Sequence, residues 1–209
     1  MCIRDRLLNP HALGRLNSLT ALAAIIYSFT FLGMRSSLLI HLGKHQFEPE
    51  KILRALAYIY VLSVILSTLS LLFFFIFLSA DRFSCSLVLL VCLINPFEFL
   101  ISYLQGYQLA LGKIGIYNRL IWIPKLIYLF AILLLVGLFG LHVKGALLSI
   151  LVSNLIAILV ILKISHVPFP GMHPSRIPVR VIRSLIGSGI LYALAFLVTR
   201  LNLSLIHIS

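Results

Sequence analysis

Three polar positions inside one apolar run hold the chemistry that this sequence could perform. Residues 85–111 read CSLVLLVCLINPFEFLISYLQGYQLAL, and Asn95, Pro96 and Glu98 stand near the middle. Glu98 is the only carboxylate of the chain inside an apolar span. A charge at that depth in a bilayer is expensive, so an ionisable side chain there faces a partner or a hydrated cavity rather than lipid. Pro96 removes a donor from the helix, and the carbonyl it leaves free must be satisfied by a neighbouring helix or by water. A kinked helix with a polar centre points to a lined cavity, in which Glu98 is the residue to carry a coupling proton or cation. The plainer reading of Glu98 is one interhelical hydrogen bond beside Pro96. Asn95 and Gln105 are either sugar contacts lining that cavity or hydrogen-bonded links between helices.

Among the basic residues, Arg35, Lys125 and Arg200 fall within apolar spans and outside the basic loops. Burying a dense anion is favourable only beside fixed positive charge, and a guanidinium offers planar, paired donors to phosphate oxygens. Arg35 lies close to the end of its span and Lys125 close to the start of its own, so either could instead reach along the lipid to the interface. Ser149, Ser153 and Asn154 read as packing residues. The histidines fall mostly in loops without metal-ligand company. Cys85 and Cys92 lie seven apart on one helix face with no C-x-x-C, which fits packing rather than metal or disulfide. No nucleophile–base pair, metal cluster or glycine-rich phosphate loop occurs, so neither an enzyme nor a cofactor is expected.

The elements that position these residues follow from composition. The chain of 209 residues is 61% hydrophobic and 11% charged, with a mean hydropathy of +1.12. No soluble domain of this size tolerates that balance. The expected fold class is all-α, a polytopic bundle of transmembrane helices. A net charge of +12 could point to nucleic acid, but Lys and Arg sit between apolar spans and form no basic face interleaved with aromatics. Membrane lipid with an anionic cytoplasmic leaflet explains the charge better.

The two ends stand apart. Residues 1–6, MCIRDR, are the translation of ATGTGTATAAGAGACAG, and LSLIHI at 203–208 is the translation of the reverse complement, CTGTCTCTTATACACATC. One DNA sequence read on opposite strands at opposite ends is the mark of a sequencing adaptor. Residues 1–6 and 203–209 are therefore set aside as adaptor-derived. What lies between is expected to be an internal piece of a longer chain, with a net charge of +11 once Arg4, Asp5 and Arg6 are removed.

Spans are predicted at 16–40, 52–79, 85–111, 117–139 and 145–162, since about 20 apolar residues cross a hydrocarbon core of about 30 Å. Gly43 is placed to stop the first and Pro49 to open the second. Residues 7–162 form one lobe of five helices. Residues 163–183, KISHVPFPGMHPSRIPVRVIR, hold four of the eight prolines and read as a linker. Residues 184–202 begin a sixth span and a second lobe. The loops at 41–54, 105–119 and 163–183 carry most of the basic residues and are placed on the cytoplasmic side, with Ala80-Asp81-Arg82 and 140–144 as short outer turns.

The run LNPHALGRLNSLTALAAIIYSFTFLGMRSSLLIHLGK, with Gly14, Gly33, Arg35, Gly43 and Lys44, resembles the second transmembrane helix of polysaccharide flippases in the multidrug/oligosaccharidyl-lipid/polysaccharide exporter superfamily. YLQGYQLALGKIGIYNRLIWIPKLIYLFAILLL is similar to that family's helices 4 and 5 with their cytoplasmic turn, and VKGALLSILVSNLIAILVIL to its helix 6. SLIGSGILYALAFLVTRLN resembles the start of helix 7, although Leu191 stands where the family often has proline. The resemblance implies helices 2 to 7 of a two-lobe transporter of about 12 to 14 helices, working by alternating access. It implies a multi-pass protein of the bacterial inner membrane that flips an undecaprenyl-pyrophosphate-linked oligosaccharide for O-antigen or related surface polysaccharide. A proton or sodium ion would be the coupling partner. Arg35, Arg200 and Lys125 would then face the pyrophosphate, Glu98 the coupling ion, and Asn95 and Gln105 the hydrated cavity. A peptidoglycan-precursor flippase and a cation-coupled drug exporter are the alternatives within the superfamily. A polysaccharide polymerase or ligase would need a large outer loop, and the outer turns here are short.

Overall fold

A computed structural model describes residues 10–31, 33–44, 46–78, 84–165 and 179–206, apart from the side chains at 10–11, 78, 164–165 and 196–206. Among them every element is helical. In chain order these are α1 (Pro10–Phe31), α2 (Met34–Gly43), α3 (Pro49–Leu78), α4 (Cys85–Ala110), α5 (Ile114–Ile132) with a π-helical extension (Leu133–Leu138), α6 (His142–Ser165) and α7 (Val179–Ile206).

The punctuation residues act as their chemistry dictates. Pro49 opens α3, where its missing N–H costs nothing, and Glu50 in the same turn faces the positive end of the helix. Gly43 closes α2, and the Lys44 amide donates to the Ile40 carbonyl at 2.9 Å. Pro96 lies inside α4 and Pro124 inside α5 without ending either helix. Five helical stretches are long and apolar enough to cross a membrane: Ala12–Gly43, Pro49–Phe77, Cys85–Ala110, Ile114–Leu138 and His142–Lys163. Phe29, Phe77 and Phe130 are 67%, 72% and 69% exposed on their outer faces. Aromatic side chains turned outward in that number suit lipid rather than water.

Two expectations are corrected. The first span is not one helix: Gly33 adopts a left-handed conformation (φ 59°) and separates α1 from α2. The position is held to glycine twice over, by that conformation and by α7, since a Cβ at Gly33 would lie 2.6 Å from the Gly189 carbonyl oxygen. The segment 163–183 is helical at both ends. Residues 163–165 still belong to α6, and Val179, Arg180 and Arg183 belong to α7. The turn at 80–82 and the proline cluster at 166–178 lie outside the described residues.

α4 occupies the centre and packs against α1, α2, α3, α5 and α6, while α7 packs against α2 and α3. Small residues permit close approach where no hydrophobic force drives helices together in lipid. Gly106 does so on α4, where a Cβ would meet Leu38 at 3.2 Å and the Arg35 Cα at 3.5 Å. On the other side of α4, Ile101 and Leu104 join Leu120 of α5 and Ala157, Ile158 and Ile161 of α6 in one buried cluster.

Candidate functional site

The middle of α4 opens onto a cavity of about 270 Å³ between α1, α4 and α6. Thr20 and Tyr27 of α1, Asn95 and Glu98 of α4, and Leu147 and Ile150 of α6 are among the residues that line it. The alanines of α1 at 23 and 24 complete one wall and leave the space that larger side chains would fill. Most of the lining is apolar, and Glu98 is its one ionisable carboxyl group.

Glu98 does not stand alone. Asn154 Nδ2, from α6, donates to Glu98 Oε1 at 3.0 Å. Tyr27 lies nearby on α1, its ring centroid 4.6 Å from that of Phe99, and it shares a side-chain hydrogen bond with Ser102. The carboxyl is half-buried, so one oxygen is held by an amide while the cavity remains open beside it. A carboxylate with one fixed donor and one adjacent open space can accept a proton or a small cation without dismantling its surroundings.

Asn95 lines the same cavity and is tied to α3. Ser67 Oγ donates to Asn95 Oδ1 at 3.2 Å, and Asn95 Nδ2 donates to Thr68 Oγ1 at 3.3 Å. Both ends of the amide are engaged, so Asn95 links α4 to α3 and also presents a polar edge to the cavity. Nearby, the Tyr60 hydroxyl donates to the Pro96 carbonyl at 3.2 Å.

The other expected site residues are elsewhere. Gln105 Nε2 donates to the Leu120 carbonyl at 3.1 Å. That carbonyl is the one that Pro124, four residues on, cannot serve with an N–H. Gln105 therefore repairs a defect in α5 and does not line the cavity. Arg35 is exposed, donates from Nη2 to the Tyr117 hydroxyl, and lies 5.2 Å from the centroid of that ring. Tyr117 is in the first turn of α5, so the guanidinium extends toward the end of the span where the basic loops lie. Lys125 is exposed too, with Nζ 5.5 Å from the Trp122 ring centroid. Neither cation lines the cavity. Arg200 belongs to α7, and its side chain lies outside the described residues.

Asn154 is the site residue that the sequence reading took for packing. Its neighbours justify that reading for themselves, since Ser149 and Ser153 bond back to carbonyls of their own helix at 2.7 and 2.8 Å. No grouping of His, Cys, Asp or Glu able to hold a metal ion occurs among the described residues. Comparison with family models, curated proteins and solved structures yields no match to this chain.

Proposed function

We propose that this chain forms part of a membrane carrier that flips a lipid-linked oligosaccharide, carried on undecaprenyl pyrophosphate, across the bacterial inner membrane by alternating access. The observation that carries the reading is the cavity between α1, α4 and α6, with the lone intramembrane carboxylate, Glu98, held at its wall by Asn154. A carboxyl so placed is a site for the proton or sodium ion whose movement drives transport. The order of spans and the glycine and basic positions of α2 add the similarity to polysaccharide flippases described above. Arg35, exposed in the first turn of α2, extends its guanidinium toward the end of the bundle where Tyr117 opens α5, and serves the pyrophosphate from there.

The test uses the intact protein in cells whose surface glycan depends on it. Glu98→Gln and Arg35→Ala are each expected to abolish surface glycan while the protein stays in the membrane at normal level. Normal glycan in both variants would overturn the assignment.

One observation favours a second reading. The charge lining the cavity is acidic alone, since Arg35 and Lys125 rest on aromatic rings away from it. An acid facing an apolar, aromatic-edged space complements an organic cation, as a cation-coupled exporter requires. Cells expressing the intact protein would then extrude a cationic dye, extrusion would fail in Glu98→Gln, and surface glycan would not change.

A further inference from the structure

Outside the cavity, the break at Gly33 and the contacts just beyond it act together. We propose that Gly33 is a hinge for α2, and that a seam of Ser37, His41, Ser184 and Ser188 is the latch that holds α2 against α7. The proposal extends the carrier reading by giving it a moving part, and it rests on that reading for its purpose only.

The hinge follows from the backbone. Gly33 is left-handed, and the ladder of α2 starts from it, with the amides of Ser36 and Ser37 donating to the Gly33 carbonyl at 3.0 and 3.3 Å. A glycine ahead of a helix can change that helix's direction by rotation about its own φ and ψ, without stretching an i to i+4 bond.

The latch follows from the side chains. Ser37 Oγ donates to the Leu185 carbonyl at 2.8 Å and lies 2.7 Å from Ser188 Oγ. His41 Nδ1 faces the Ser37 carbonyl at 2.9 Å and therefore donates to it, and Nε2 shares a hydrogen bond with the Ser184 hydroxyl at 2.8 Å. His41 is only 4% exposed. Interhelical hydrogen bonds of this kind bias an equilibrium by roughly three- to tenfold each. The apolar part of the interface, Leu38 and Leu42 against Val181 and Leu185, can be exchanged for lipid at little cost. A few polar contacts thus hold the joint, and a few can release it. On its other side α2 packs Met34, Leu38 and Leu42 against Ile52 and Leu56 of α3 and Phe99, Tyr103 and Tyr107 of α4, an apolar contact without side-chain hydrogen bonds to α2 among the described residues, with Gly106 letting the backbones approach. Arg35 rides on α2, so swinging α2 draws the guanidinium away from Tyr117.

The experiment measures distances in the full chain reconstituted in lipid bilayers, with Cys2→Ala, Cys85→Ala and Cys92→Ala as background. Spin labels at Leu39 on α2 and Leu191 on α7 are expected to show two separations, docked and released. A control pair at Val61 on α3 and Leu89 on α4 is expected to show one. Ser37→Ala with Ser184→Ala should raise the released fraction relative to the docked one by about tenfold or more, and an oxidised Ser37→Cys/Ser188→Cys pair should leave only the docked separation. A single separation at Leu39 and Leu191, unchanged by the serine variants, would overturn the proposal, and so would a second separation in the control pair. Loss of glycan transport or dye export plays no part in these readouts, so failure of the carrier reading would be seen separately.

Discussion

Glu98 and Asn154 share one hydrogen bond between α4 and α6, and their substitutions should separate function from stability. In Glu98→Gln the side-chain oxygen still accepts from Asn154, so unfolding in a detergent titration is expected to change by less than about 0.5 kcal/mol. Asn154→Leu removes the donor and leaves the carboxyl unserved, with an expected loss of about 1–2 kcal/mol in the same titration. An equal loss in both variants would mean that the pair is structural only. Gln105→Leu is expected to cost about 1–2 kcal/mol, because the Leu120 carbonyl beneath Pro124 then has no donor. At this scale the sequence was partly legible. Glu98 stood out because carboxylates are rare in apolar spans, and Asn95 and Gln105 because amides are. Asn154 did not, since its partner lies 56 residues away on another helix and periodicity along one helix says nothing about which helix comes to face it. Residue counts gave the depth of Arg35 and Lys125 but not the direction in which their long side chains extend.

Among the helices, the glycines differ in what they do. Gly33→Ala would place a Cβ 2.6 Å from the Gly189 carbonyl in a left-handed residue. The conformation alone costs roughly 1–2 kcal/mol, and the contact adds to it, so unfolding should shift by about 2 kcal/mol or more. Gly14→Ala meets open space within α1 and is expected to stabilise by about 0.5–1 kcal/mol. A thermal unfolding scan on the two variants in bilayers would show opposite shifts. Hydropathy and breakers located the helices well: Pro49, Gly43 and Cys85 mark ends where they were expected. The break within the first span was hidden, because a glycine in an apolar stretch continues a helix in one setting and ends it in another. The neighbour that leaves no room for a side chain there is the backbone of α7, more than 150 residues later in the chain.

For the whole molecule, the ends of the helices sort into two sets. The α2–α3 and α5 starts, with Lys44, Lys51, Lys113 and Arg119, lie at one end of the bundle, and the α6 start, with Lys144, at the other. The Lys and Arg bias predicts that the first set faces the cytoplasm. Single-cysteine variants Lys113→Cys and Lys144→Cys, in the background without native cysteines, should react oppositely with a membrane-impermeant maleimide added outside spheroplasts: only Lys144→Cys is labelled. Labelling of Lys113→Cys alone would invert the topology. Composition gave the class of architecture at once, since apolar content of this order leaves only a membrane bundle. The centrality of α4 is a tertiary fact that its polar residues hinted at, because polar groups in a bilayer seek the middle of a bundle.

The bond from Gln105 to the Leu120 carbonyl has a consequence for how this sequence can change over time. A chain that keeps Pro124 needs a donor at 105, whereas one that replaces Pro124 with leucine regains the backbone N–H and no longer depends on it. The two positions are thus epistatic across two helices. Substitution at 105 is harmful in one background and close to neutral in the other, and the neutral route passes through position 124 first.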